Sequence, residues 1–250
     1  MNEIKRFIVQ SNTMGNLVIK RVSKEKAKQM IIENHYSHKW NNASFGLFNY
    51  GIFREHYEAD NECLRVAVYG YMMHPKAHYF THPNPMAMML ELNRMWISDE
   101  LGKNAETILI SRSLKLLRED CLNCVAVQSF ADGRLGCGTI YKAANFKYFG
   151  GHKTTFVKNK RTGEINHEMN FTRMDSKSIY LRNNLAYLLG DLEVFQVDTY
   201  RYIFPLCKRF RYNKAQQSYP AYNKGITPIK WQRDRKLIKE RLIKFINEIE

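Results

Sequence analysis

Residues 90–130 read as strand, helix, strand, and this order restricts the fold more than any other stretch of the chain. Residues 90–98 are extended and apolar enough for a strand. Asn104 stands as the cap of a helix running to about Arg118, with Ala105, Ile108, Leu109, Arg112 and Leu116 at helical spacing. Residues 125–130 form a short apolar strand. A helix that links two strands this closely brings them together in parallel by a right-handed crossover. A second such unit follows: a glycine-rich turn at 132–138, a helix at 139–148 ended by Gly150-Gly151, and a hairpin of 154–159 with 166–174. Before these units, 16–22 is a strand, Ser23 caps a helix at 24–34 with Ala27, Met30 and Ile31 on one face, and 45–53 and 64–73 are strands. Pro75, Pro83 and Pro85 keep 72–86 irregular. After them come a helix at 177–189, a strand at 199–205 and a final helix that Thr227-Pro228 opens, with Ile238, Leu242, Phe245, Ile246 and Ile249 as its apolar stripe. The expected class is α/β, a mixed, partly parallel central sheet flanked by helices.

The formal net charge is +15 over 250 residues, more than solubility requires. It favours a polyanionic partner, nucleic acid before a membrane surface; the competing reading is a basic protein with no anionic partner. The excess is uneven. From Arg201 to Glu250 there are 13 Lys or Arg against 4 acids, so this last fifth carries +9 and the first 200 residues +6. Residues 201–212 interleave cations and rings, with Arg201, Lys208, Arg209, Arg211 and Tyr212 followed by Lys214. Cations neutralise phosphates and rings stack on unpaired bases; a solvated basic face is the plainer alternative. Cys63, Cys121, Cys124, Cys137 and Cys207 are scattered and odd in number, which speaks for a reduced, cytoplasmic setting. No run reaches the roughly 18–20 apolar residues of a membrane span, and the first residues lack a signal-peptide core.

Several constellations carry chemistry. Cys121-x-x-Cys124 is a single pair and reads as packed thiols. His74, His78 and His82 recur every four residues, but the prolines among them oppose a helix, which leaves a loop metal site or nothing. His35-Tyr36-x-His38 follows the first helix: histidine serves as base or ligand, and Tyr36 as proton donor or stacking ring, against a plain polar helix end. Alternation puts Leu90, Leu92, Arg94 and Trp96 on one strand face and Glu91, Asn93, Met95 and Ile97 on the other. A cation among apolar neighbours needs an acid such as Asp132, or an anionic ligand. Asp132 sits where a strand enters a glycine-rich turn, a common place for sites in open α/β sheets, though a lone acid there also serves as a turn former. The amides of residues 136–139 at the following helix start are placed for an anion, and Tyr141 lies in that helix's first turn.

The run from Gly138 to Gly150, GTIYKAANFKYFG, is similar to the last helix and turn of the GNAT acyltransferase superfamily. Three further segments sharpen the likeness: Asn34-His35-Tyr36-Ser37-His38-Lys39-Trp40; Glu91-Leu92-Asn93-Arg94-Met95 with Lys103-Asn104-Ala105-Glu106-Thr107; and Ser129-Phe130-Ala131-Asp132-Gly133 with the tyrosine helix. Together, and in this order, they resemble the phage Mom family of DNA-adenine modification proteins, from about Leu17 to Lys224. Arg201-Tyr202-Ile203-Phe204 and Tyr219-Pro220-x-Tyr222-Asn223-Lys224 resemble its basic C-terminal segment.

The resemblance implies a GNAT-like core over 1–175 and a basic, aromatic-rich extension over 176–250 that ends in an amphipathic helix packed on the core. It implies conversion of adenine in duplex DNA to a carbamoylmethyl derivative on the exocyclic amine, which shields phage DNA from restriction inside the bacterial host. That amine is a major-groove donor, and a duplex adenine must be extruded to reach a site. The family's functional positions fall on His35, Tyr36, Arg94, Thr107, Asp132 and Tyr141. The implied roles are Asp132 or His35 as proton acceptor, Tyr36 to stack on or orient the extruded base, Tyr141 to donate to a leaving group or position the donor, and Arg94 as holder of Asp132 or of an anionic donor group. Iron is associated with the family, with His35 as ligand, and dimers are expected. The pyrophosphate-gripping loop of acetyl-CoA users is replaced by Leu101-Gly102-Lys103-Asn104-Ala105-Glu106, where Lys103, Asn104 and Thr107 remain to meet a donor. The donor is therefore acetyl-CoA or another small-molecule or carrier-bound acyl or aminoacyl group. Two other readings stand beside this one: a conventional GNAT N-acyltransferase acting on a protein or small-molecule amine, and a DNA-binding module without catalysis.

Overall fold

The computed structural model describes residues 5–11, 15–72, 79–97, 101–102, 104–168 and 177–248. They form two compact units that interleave along the chain. One comprises Met1–Phe130, Thr139–Gly150 and Arg201–Tyr219, the other Ala131–Gly138, Gly151–Tyr200 and Pro220–Glu250.

In the first unit, β1 (Arg6–Ser11) pairs antiparallel with β2 (Gly15–Arg21), from Arg6↔Lys20 to Ser11↔Gly15. The sheet continues through β3 (Phe48–Arg54), β4 (Arg65–Tyr71), β6 (Met88–Trp96) and β7 (Cys124–Asp132). The mixed α/β sheet expected from sequence is present, with β6 and β7 parallel. A small ribbon pairs β5 (Phe80–Thr81) with β11 (Arg211–Tyr212). Helix α1 (Lys24–Asn34) begins where expected, because Ser23 Oγ accepts the Lys26 N–H at 3.2 Å. Its Ala27, Met30 and Ile31 pack with Val66, Val68, Phe45, Trp40 and Trp96. The other sheet face meets α2 (Ala105–Asp120), where the buried hydroxyls of Tyr69 and Ser113 lie 2.6 Å apart.

Two details of this unit differ from the sequence reading. Asn104 makes no side-chain cap; it adopts a left-handed backbone at φ 71° and its carbonyl accepts the Ile108 N–H. The helix expected at 139–148 is the short α3 (Thr139–Ala143), because Asn145 turns left-handed at φ 61° and Lys147 already starts β8 (Lys147–Asn159). A five-residue helix has no developed N-terminal dipole, so the anion reading of residues 136–139 lapses.

In the second unit, β8 pairs antiparallel with β9 (Ile165–His167), so the expected hairpin is found; its remaining residues, 169–174, lie outside those described. Helices α4 (Lys177–Leu188) and α5 (Arg235–Asn247) bury Tyr180 and Tyr187 with Ile238, Leu242 and Phe245. Strand β10 (Leu192–Pro205) starts seven residues earlier than the expected 199–205. Thr227-Pro228 does not open the last helix. The segment after it, β12 (Ile229–Lys230), pairs with Phe195 and Gln196 of β10, and Asp234 caps α5 by accepting the Leu237 N–H at 3.0 Å. Strand pairing there outweighs a weak helix-start signal.

Candidate active site

The site grows from one irregularity. Between β4 and β6, Leu92 faces Tyr69 and Arg94 faces Val68, so Asn93 is an extra residue, a β-bulge. The bulge reverses the alternation. Glu91 faces Gly70, Arg94 faces Val68 and Trp96 faces Val66, so these three share the α1 face. This corrects the expectation that Arg94 shares a face with Leu90 and Leu92. Gly70 makes room: a Cβ there would sit 1.9 Å from Ser44 O and 2.5 Å from Asn93 Oδ1.

Glu91 is also the last rung of the parallel ladder, paired with Gln128. Beyond it the strands part, and Ser129 Oγ reaches Leu92 O at 3.4 Å. Such a parting between parallel strands makes a crevice. Gln128 Nε2 and Asn93 Nδ2 each approach the Glu91 carboxyl at 3.4 Å. Burial pushes this carboxyl above its ordinary range, against the opposing pull of the two amides, Arg94 and Arg201. Sequence reasoning missed Glu91. Its signal was present in the Glu91-Leu92-Asn93-Arg94 run, but strict alternation placed it opposite Arg94.

Arg94 donates from Nη1 to Asn93 O at 2.6 Å and lies 4.8 Å from the centre of the Phe45 ring. Burial lowers its affinity for its proton, while Tyr36, Glu91 and Tyr141 act to raise it. Tyr141 is hydrogen-bonded to Ser129, and burial pushes its phenol up to about 12. It stands among aromatic rings, 5.2 Å from Tyr202 and 5.5 Å from Phe146. Tyr36, Glu91 and Arg94 all act on it electrostatically. The structure thus brings together Tyr36, Arg94 and Tyr141 and adds Glu91.

His35 ends α1 and is buried, its ring 4.2 Å from that of the exposed Tyr36. Its Nδ1 accepts the Ser37 backbone N–H at 3.1 Å and lies 2.8 Å from Ser37 Oγ. The Nδ1 of His38 faces the carbonyl oxygen of Ile32 at 2.8 Å. Among the described residues no group of three or more His, Cys, Asp or Glu side chains is placed to hold a metal. His74 and His78 lie outside the described residues, and His82 Nε2 lies 3.5 Å from Cys207 Sγ. Cys121 and Cys124 are free thiols, and burial raises Cys124 to about 12.

Burial, Arg94 and His38 hold His35 down to about 4 against 6.5 in the open chain. Only the unfolded chain takes the proton between these values. Stability is therefore full above about pH 6.5, falls as pH drops towards 4, and levels off below. With the neighbouring loop partly solvated, the loss should be about 2 kcal/mol. Urea unfolding of wild type and His35→Gln at pH 7.5 and 4.5 measures it; the variant should lose this part of the pH dependence.

Asp132 belongs to the second unit, where Arg134 binds it through its backbone N–H at 2.9 Å and its Nε at 3.0 Å. Asn104 and Thr107 mark the first turn of α2, and Lys103 lies outside the described residues. Of the cations expected on DNA, Lys208, Arg209, Arg211 and Lys214 are exposed. Arg201 and Tyr212 are half-buried and bonded to each other, Nη1 to the phenol oxygen at 2.7 Å.

The chain matches the model of the Mom protein family over residues 16–221. The methylcarbamoylase mom of Escherichia phage Mu is 32% identical over 200 residues, 78% of each chain. Among solved structures, Arabidopsis thaliana NAA60 in complex with acetyl-CoA is 7% identical with a TM-score of 0.41, covering 76% of this chain and 98% of its own. The ribosomal-protein-S5-alanine acetyltransferase from Vibrio fischeri is 7% identical with a TM-score of 0.43, covering 81% and 98%. A GNAT-family acetyltransferase from Bacillus anthracis is 9% identical with a TM-score of 0.35, covering 80% and 99%. The family match spans α1, the Asn93 bulge, the crevice and Tyr141, and with the 32% relative it makes this chain a member of the Mom protein family.

Proposed function

We propose that the protein transfers a carbamoylmethyl group to the exocyclic amine of adenine in duplex DNA and so protects phage DNA from restriction in the host cytoplasm. The observation that carries this reading is the meeting of Tyr36, Glu91, Arg94 and Tyr141 at the parting of β6 and β7, inside the segment that matches the Mom family. The exposed Tyr36 ring receives the extruded base. The amine nitrogen bonds to the methylene carbon of the carbamoylmethyl group, and the bond from that methylene to the leaving group breaks with its electron pair going to the leaving group. Glu91 takes the proton the nitrogen loses, and Tyr141 donates to the leaving group. The donor is a small molecule or carrier that holds the carbamoylmethyl group through its methylene carbon, and it meets the first turn of α2 at Asn104 and Thr107.

Expression in a bacterium, digestion of its DNA and mass spectrometry of the nucleosides tests this. A new deoxyadenosine derivative is expected. Unmodified DNA together with acylation of a protein or small-molecule amine would replace this reading with the conventional acyltransferase.

The exposed cations grip the duplex. Lys208, Arg209 and Lys214 changed together to Gln should weaken DNA binding and reduce the slope of log K against log salt by about 3. Arg211 is left intact because its Nη1 braces the turn on Lys208 O and Phe210 O. An unchanged slope in a salt titration would remove these residues from the interface.

A further inference from the structure

Two arginines of the crevice share one anomaly. Arg94 and Arg201 are each anchored through Nη1, one to Asn93 O and the other to the Tyr212 phenol. Each lies against a ring, Phe45 for Arg94 and Phe130 for Arg201, at 4.8 and 5.4 Å from the centroids. In each the Nε is buried without a hydrogen-bond partner among the described residues. A buried donor left unmet is costly, and two of one kind in one place call for an explanation. Both guanidiniums act on the Glu91 carboxyl, which is the acid they share. Two cations therefore face one acid.

The guanidinium edge formed by Nε and Nη2 can grip an oxyanion with two parallel hydrogen bonds. This chain shows it at Arg134, whose Nε and Nη2 together bind the Asp132 carboxylate. In Arg94 and Arg201 the opposite corner is fastened and the Nε is left over. A carboxylate's two oxygens are used up by one such fork, whereas a phosphoryl group has oxygens for two.

We propose that Arg94 and Arg201 form a phosphoryl-binding subsite in the crevice, with Tyr212 as the residue that positions Arg201. This moves Arg201 from the outer DNA-gripping face to the site itself. Phosphoryl groups reach the crevice from two sources, the phosphodiester beside an extruded nucleotide or a phosphate of the group donor. The use of the subsite in the reaction rests on the function proposed above; its ability to bind does not.

Calorimetric titration with inorganic pyrophosphate tests the binding without any modification assay. One site per chain is expected in wild type. Arg94→Gln and Arg201→Gln should each weaken it at least tenfold, and Lys236→Gln, on an exposed face of α5, should leave it unchanged. Arg201→Lys keeps a cation beside Tyr212 without the fork and should also weaken binding, which guards against a Gln variant that folds poorly. A short DNA duplex that displaces pyrophosphate identifies the phosphodiester as the source; coenzyme A displacing it, with DNA failing to, identifies the donor. No pyrophosphate binding, equal affinity in Arg201→Gln, or displacement by neither competitor overturns the proposal. If binding follows the expected pattern while cellular DNA stays unmodified, the subsite stands and the proposed function fails.

Discussion

Changing Glu91 to Gln should lower modified deoxyadenosine in cellular DNA at least 100-fold, with DNA affinity held within about twofold. General-base catalysis contributes about 10²–10⁴ in rate, and an amide of the same size removes the base alone. The other candidates are poorly disposed for this role. The Nδ1 of His35 is engaged by Ser37, through its backbone N–H and its Oγ. The Asp132 carboxylate is engaged by the backbone and side chain of Arg134. Among the described residues Glu91 has two long amide contacts, at the edge of the crevice. Nucleoside mass spectrometry of wild type, Glu91→Gln and Asp132→Asn ranks them. Modification by Glu91→Gln within threefold of wild type would remove Glu91 as proton acceptor.

A methyl group at Gly70 should cost about 3 kcal/mol or more, which for a chain of this size lowers Tm by roughly 6–12 °C. The added Cβ would lie 1.9 Å from Ser44 O, a backbone atom that also accepts the Tyr71 N–H, and 2.5 Å from Asn93 Oδ1. Relief requires the loop at Ser44 or the Asn93 bulge to move. Either movement turns Arg94 away from Glu91, so Gly70→Ala should also lose modification in proportion beyond its loss of folded protein. Thermal unfolding and specific activity per folded molecule measure the two parts. A Tm within 2 °C of wild type would show that the bulge yields easily.

The regular parts of the fold were legible because they obey short-range rules. The bounds of α1 could be read from Ser23 and the spacing of Ala27, Met30 and Ile31, since capping and helical period need only neighbouring residues. The strand–helix–strand order at 90–130 likewise implied the parallel pairing of β6 with β7. Reading failed where a choice depended on a distant partner. Thr227-Pro228 looked like a helix start until Phe195 and Gln196 offered Ile229 and Lys230 a strand to pair with. Asp132 and Arg94 looked like a pair, but Arg134 stands two residues from Asp132 and takes its carboxylate first.

The candidate site divides in the same way. Part of what meets there was written in the chain: Tyr36, Arg94 and Tyr141 stood out by type and neighbourhood. Their arrangement was not. A strand's side chains alternate by default, so nothing local put Glu91 beside Arg94. One extra residue at Asn93, tolerated because Gly70 leaves space for Ser44, reverses that alternation and sets the acid and the cation on one face. Periodicity is a property of a segment, whereas a bulge is a mismatch between two strands and exists only once they pair.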